Sequence, residues 1–556
     1  MKHISHYINS FFGKFNLSIG LYIFILLVFL TNTLYVSYPD EFVNMLGGKF
    51  ILAGKLPYKD FFDHHLPFAW YLSAVLQIFS FGSYVLFRIW WALVAFASLL
   101  GVSLYIKKNK PDLYRYYLAY FFLYPFLTVY YWTHLYIADS LAFLFFSVIF
   151  WLLITETFQE TAKPKTLFTL SFLNFLFVFS SLTFIFIAGF FYIWILYLYQ
   201  KRKINIKRIG VFIAVSIAPY VLYGFFLLVT GSLKDFYISN FVYNTKLYID
   251  IPNYVKGRFF NPLKFGFTII FNFYQSYLPL LVRIKEFNLY FPVDLVLALG
   301  SFLFLVFSFF ENKILFMFLF FILSFTAPRS NLMKIGETDY QSGMFIAFGM
   351  ISALCVLWRY KYIKFKEEYL LYFKKISTLL LVFFFLFASL FLIKNGYDKF
   401  YLRYTQQMPG IYDVAYTASF TDEIIEANDY FWIGPYEPHE AFFVRNGRLP
   451  GKFPTLLPQF REDHFFKSEF LRQFENNPPK IIIYKHEASI FMTPAMEFGA
   501  FFVDWMKGKY TSIENISGLK IEKSPSSFNL KTDLYIRNED KEHVLQKLKS
   551  TGYITY

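Results

Sequence analysis

A single cysteine, Cys355, serves the whole 556-residue chain, and it lies inside an apolar run. One thiol supports neither a disulfide framework nor a thiolate zinc site, and it says nothing of compartment. Charge is also scarce: Asp, Glu, Lys and Arg make up 16% of the residues. A soluble fold needs more polar side chains than that to cover itself. No internal repeat and no low-complexity linker is present, which argues against solenoids and tethered modules. No small-residue cleavage site follows the first apolar run and further runs come after it, so a retained signal-anchor is expected.

What the chain has instead is apolar surface. Hydrophobic residues make up 57% and aromatic residues 24%, with a mean hydropathy of +0.43. The 79 Phe and 45 Tyr point to a compositional bias, so aromatic count carries no functional weight. The net charge of +15 would suggest nucleic acid in a soluble protein. Here the Lys and Arg sit in short connections between apolar runs, as the positive-inside rule requires. Nucleic acid is therefore set aside as a partner, and membrane lipid is the expected surrounding.

A spanning helix needs about 20 mainly apolar residues. The candidates are 19–37, 84–106, 113–131, 137–155, 166–181, 183–200, 208–230, 289–310, 313–327, 340–359 and 376–393. Segments 66–81 and 264–282 are apolar too, but polar loops bracket each. They are expected to lie in the interface or dip partly into the membrane. With eleven spans and a cytoplasmic N-terminus, the basic connections 107–110, 201–208 and 359–375 share the cytoplasmic side. The first loop (38–83), the long loop (231–288) and everything after 394 then lie outside, in a plasma or inner membrane. The expected architecture is a multi-pass α-helical domain over 1–394 and a small extracytoplasmic α/β domain over 395–556. In the latter, 429–435, 480–485 and 533–538 read as strands. Segments 491–507 and 539–549 read as amphipathic helices.

Chemistry concentrates on the outer side. Asp40 and Glu41 directly follow the first apolar run, and Asp60, Asp63, His64 and His65 follow in the same loop. Loop carboxylates mostly just solvate their loop. Here Tyr38, Pro39, Pro57, Tyr58, Phe61, Phe62, Pro67 and Trp70 surround them, which favours an ordered, partly dry loop. Asp139 stands at the outer edge of the fourth span, where a carboxylate usually has a partner or a function. Arg88, Lys246, Lys256, Arg258, Arg283 and Arg329 are the outer cations. Arg329 suits bidentate phosphate binding, although a snorkelling anchor reads equally well.

"PDE", then "GKLPYKDFFDHHLPFAWYL" and "FGSYVLFRIWWAL", resembles the start of GT-C-fold membrane glycosyltransferases. The nearest group is the bacterial proteins similar to dolichyl-phosphate-mannose protein mannosyltransferases and to the lipid A aminoarabinose transferase. "YIAD" resembles the family's second acidic motif, which places Asp139 in that role. The sequence departs from the family at "DHHLP", where relatives often have "DKPPL", so a lysine contact to phosphate is missing there. The resemblance implies a polyprenyl-phosphate sugar donor and a glycan, lipid or protein acceptor. It implies Asp40 as general base, with Glu41 next, and Asp139 orienting the acceptor or sharing a divalent cation with Asp40. His64 and His65 would suit that metal or an acceptor hydroxyl, or would simply hydrogen-bond locally. Arg88, Lys256, Arg258 and Arg329 are the candidates for the donor phosphate, and Tyr340 stands where relatives carry an aromatic near the site. The leaving phosphate is already acidic, so no general acid is needed, unlike in glycosidases. The rival class is a multi-pass transporter or flippase, which would place ionisable groups near the bilayer midplane.

Overall fold

The first apolar run does not cross in one piece. In the computed structural model it forms α1 (Leu17–Thr31) and a 3₁₀ turn (Asn32–Leu34), then bends by 95° into α2 (Pro39–Leu52). Pro39 opens α2, where its missing N–H costs no helical hydrogen bond. The structure describes residues 17–159, 164–201, 206–248, 261–283, 292–336, 338–360, 362–363, 367–405 and 416–555. The apolar run at 66–81 becomes α3 (Phe68–Ser80), which packs tightly on α2. Two glycines permit the approach: a Cβ on Gly47 would stand 2.7 Å from the Trp70 ring, and one on Gly48 2.6 Å from Ser73 Oγ.

The bundle continues as α4 (Tyr84–Asn109), α5 (Pro111–Tyr130), α6 (Ala138–Thr157), α7 (Pro164–Ser180), α8 (Ile185–Lys201) and α9 (Ile206–Val229). After α10 (Leu233–Tyr237) and a π-helix (Ile238–Tyr248) come α11 (Pro262–Arg283), α12 (Pro292–Glu311), α13 (Lys313–Ser324), α14 (Gly343–Arg359) and α15 (Glu368–Tyr404). Among the described residues eight helices are long and apolar enough to cross a membrane, or nine with the bent pair as one span. The chain is a multi-pass α-helical membrane protein. Gly300 and Gly349 let α12 and α14 touch backbone to backbone: added Cβ atoms would stand 2.6 Å from Ala353 and 2.8 Å from Leu297.

Segment 264–282 lies within α11, which is long enough to cross. However, α11 starts beside Phe186, where Phe265 packs, and α12 starts beside Tyr131, which its Asp294 contacts. Both starts lie at the end of the bundle that carries Asp139. At the opposite end, Arg359 pairs with Glu311, and Lys110 lies 5.9 Å from the Trp358 ring. Lys110 and Arg359 thus lie together at that end, away from Asp139.

α15 runs on to Tyr404, past 394, and the sheet-bearing region occupies 416–555. It comprises α16 (Tyr416–Ile424), β1 (Phe431–Gly434), α17 (Pro438–Phe443), α18 (His464–Asn476), β2 (Ile481–Tyr484), β3 (Ser489–Ile490), β4 (Thr493–Pro494), α19 (Ala495–Phe498), α20 (Ala500–Met506), β5 (Tyr510–Ser512), β6 (Lys520–Ile521), β7 (Leu534–Arg537), α21 (Lys541–Ser550) and β8 (Ile554–Thr555). The main sheet runs β1-β2-β7-β5, with β1 parallel to β2 and the other pairs antiparallel. The expected helix over 491–507 is instead a β3–β4 hairpin followed by two short helices. This region docks on α2: Phe42 meets Phe443 at 5.5 Å, and Lys49 Nζ donates to the carbonyls of Phe442 (2.9 Å) and Val444 (3.0 Å).

Candidate functional site

Adjacent residues on a helix point about 100° apart, and α2 uses this to divide Asp40 from Glu41. Glu41 turns into the bundle and is fully buried. Arg88 Nη2 donates to its Oε2 at 2.8 Å, Tyr84 Oη donates to the same oxygen at 2.6 Å, and the Tyr136 amide donates to Oε1 at 3.2 Å. Arg88 also donates to the carbonyls of Val36 (2.9 Å) and Tyr35, which brace the break between α1 and α2. The structure thus places two expected site residues, Glu41 and Arg88, with each other rather than at the cavity that holds Asp40. A buried pair broken on one side leaves an uncompensated charge. Arg88→Met is expected to cost about 3–5 kcal/mol of stability, read as a large drop in thermal midpoint in detergent.

Asp40 turns the other way, into a cavity wall. Its Oδ1 accepts from Tyr436 Oη at 2.7 Å, and its Oδ2 from Tyr340 Oη at 3.5 Å. Burial pushes its carboxyl above the usual range, while the Tyr436 hydrogen bond and nearby His65 pull it back. Across the cavity, Asp139 in the first turn of α6 accepts from Arg329 Nη2 through both oxygens, at 2.7 and 3.0 Å. Nε and Nη1 of Arg329 have no hydrogen-bond partner among the described residues. Burial works against the Arg329 charge, but Asp139 more than offsets this and holds it firmly ionised.

The loop 57–67 brings a third group. Asp63 Oδ1 accepts from the His65 amide at 3.0 Å and from His65 Nδ1 at 2.8 Å. Burial opposes charge on His65, yet Asp63 beside it overrides this and raises its pKa. Burial drives His64 well below its ordinary value, with the His65 charge adding to the effect. Asp63 thus favours the protonated form of His65, while burial favours the neutral form of His64, whose Nε2 is buried and has no partner among the described residues. Asp40, Asp139 and His64, the expected cation ligands, line one cavity, but Tyr436 engages Asp40 and Arg329 takes both oxygens of Asp139. Among the described residues, the group with candidate ligand atoms within 4.8 Å of one another is Asp63, His64 and His65. Hydrogen bonds tie Asp63 to His65, and His64 Nδ1 stands 3.6 Å from Asp63 Oδ1.

Two cavities meet here. One, of about 830 Å³, is walled by residues 181–193, the π-helix and the start of α11. Ile185 and Ile193 on that wall are half exposed on the bundle flank, where lipid would lie. The other, of about 430 Å³, holds Asp40, Asp63, Asp139, Tyr340 and Tyr436. His64, His65, Tyr248, Arg329, Gln341 and Phe491 line both. Lys256 and Arg258 lie outside the described residues. Lys246 is exposed and lines neither cavity.

Sequence reasoning missed the contribution of the C-terminal region. Tyr436 reaches Asp40 from the turn after β1. Phe491 and Met492 form the apex of the β3–β4 hairpin, both with positive φ (49° and 63°). Bulky residues rarely adopt that conformation, and it projects Phe491 over both cavities. An apolar apex in a strained turn leaves no trace in hydrophobic periodicity.

The bent first span, the acidic starts of α2 and α6 and the sheet-bearing region docked on α2 frame the site. Among solved structures, the chain is similar to ArnT from Cupriavidus metallidurans in the apo state, with a TM-score of 0.50 and 11% identity, over 93% of this chain and 97% of that one. Archaeal oligosaccharyltransferase AglB from Archaeoglobus fulgidus, in complex with an inhibitory peptide and a dolichol-phosphate, gives a TM-score of 0.41 and 11% identity over 86% and 70%. No family model and no curated protein matches the sequence. At this identity the likeness is one of fold.

Proposed function

We propose that the chain transfers a sugar from a polyprenyl-phosphate donor to an acceptor hydroxyl at the extracytoplasmic face. The observation that carries this reading is the junction of a lipid-flanked apolar cavity with an acidic one at Arg329 and His65. The polyprenyl tail lies along 181–193 and its phosphate sits at the junction. The acceptor enters the smaller cavity. Asp40 takes the acceptor proton as the acceptor oxygen attacks the anomeric carbon. The bond from that carbon to the phosphate oxygen breaks, and the phosphate leaves with the electron pair. Arg329, through Nε and Nη1, and cationic His65 stabilise the charge that develops on it. Asp139 orients Arg329 rather than acting on the acceptor. The ionisable groups that line the cavities lie at one end of the bundle, which favours this over a transporter with midplane charges.

Mass spectrometry of lipid-linked sugars and surface glycans, with and without the protein, tests the reading. A lost glycan with accumulated polyprenyl-phosphate sugar supports it, and unchanged profiles contradict it. A narrower test uses Gly189, which lines the apolar cavity and where an added Cβ meets nothing within 4 Å. Gly189→Trp is expected to fold normally and to fill the groove. The expected effect is a rise in KM for donor of about tenfold, with kcat spared at saturation.

A further inference from the structure

We infer that Tyr436, from the C-terminal region, is a positioning residue that holds Asp40 in its working orientation and charge state, so that the catalytic site is completed across the two parts of the chain. This rests on the reading of Asp40 as base. The geometry is direct: the 2.7 Å contact from Tyr436 Oη is shorter than the 3.5 Å contact from Tyr340. Burial keeps Tyr436 a neutral phenol, so it donates. A hydrogen bond to the charged form favours that form.

The placement of Tyr436 is built, not incidental. It follows β1, whose four residues are all buried and pair in parallel with β2. It precedes α17, which packs on α2 through Phe442 and Phe443 against Phe42. The same region holds the far end of α2 through Lys49. One docking surface thus grips the helix at both ends, with Asp40 at one of them. The other groups facing Asp40 are Tyr38 from the start of α2, Tyr340 from the start of α14, and His65, Tyr248 and Asp139 across the cavity. Of these, Tyr340 alone also hydrogen-bonds it.

Infrared spectroscopy of protein labelled with ¹³C-aspartate in proteoliposomes follows the Asp40 carboxyl directly. The band absent in Asp40→Asn belongs to it. Tyr436→Phe keeps the ring and removes the donor, so the Asp40 midpoint is expected to rise by about one pH unit. Should Tyr436→Phe fail to fold, 3,5-difluorotyrosine at 436 is a stronger donor and is expected to move the midpoint down. In a transfer assay with a panel of decaprenyl-phosphate hexoses, Tyr436→Phe is expected to lose about tenfold in kcat at neutral pH. Its acid limb should shift upward with the infrared midpoint. An Asp40 midpoint that neither Tyr436 variant moves overturns the inference. Wild-type transfer by Asp40→Asn instead overturns the base assignment, and the infrared shift then still decides the Tyr436 contact.

Discussion

Asp40→Asn abolishes sugar transfer and leaves the protein folded. The amide matches the carboxylate in shape and can still accept from Tyr436, so packing between α2 and the C-terminal region survives. What it cannot do is take a proton. General bases contribute roughly 10²–10⁴-fold, and the expected loss lies in that range or beyond, in kcat with little change in donor KM. The stability effect has the opposite sign. Burial raises the Asp40 pKa above its unfolded value, so the stability it contributes is present at low pH and is lost as pH rises through that raised pKa. At neutral pH its charge is a liability in the fold, and Asp40→Asn is expected to hold or raise the thermal midpoint. A variant that is inactive yet no less stable is what a catalytic carboxylate gives. An inactive, unfolded one is what Glu41→Ala should give. Wild-type transfer also fades as pH falls through the Asp40 pKa, because a protonated carboxyl is no base.

Arg329→Ala costs nearly as much by a different route. It removes the cation that faces the departing phosphate and strands Asp139. Losing one preorganised electrostatic contact is worth about 2.7–4 kcal/mol in the transition state, or roughly 10²–10³ in kcat/KM. Binding of decaprenyl phosphate weakens alongside, while acceptor KM stays near wild type. Arg329→Lys keeps the charge but not the fork that serves Asp139 and phosphate at once, so it recovers only part of the activity. Equal loss for donor and acceptor, or no loss, would make Arg329 an interfacial anchor.

The helices were legible because long apolar runs in a membrane protein leave few alternatives. Their ends were less so. The run 19–37 hides a 95° break, because hydropathy does not record that one helix stops at Thr31 and a proline opens the next at Pro39. The same limit confused the acidic pair. Sequence places Asp40 and Glu41 side by side as candidates, but a helix sends consecutive side chains to different faces, and only the fold says which face is cavity. Arg88 looked like an outer cation and is Glu41's buried partner, since a span-edge Arg can turn in as readily as out. Asp139 and Arg329 were singled out separately, and their pairing was not. Tyr436 lies 396 residues from Asp40 in the chain. No local pattern marks such a contact. Phe491 and Met492 read as part of an amphipathic helix because hydrophobic spacing cannot register positive φ.

A structure of the protein in lipid nanodiscs with decaprenyl phosphate bound tests the central claim most directly. The account predicts the phosphate within hydrogen-bonding distance of Arg329 and beside His65, with the tail running along Leu182, Phe186 and Phe190. Phosphate density away from that junction, or a tail lodged elsewhere on the bundle, would contradict it.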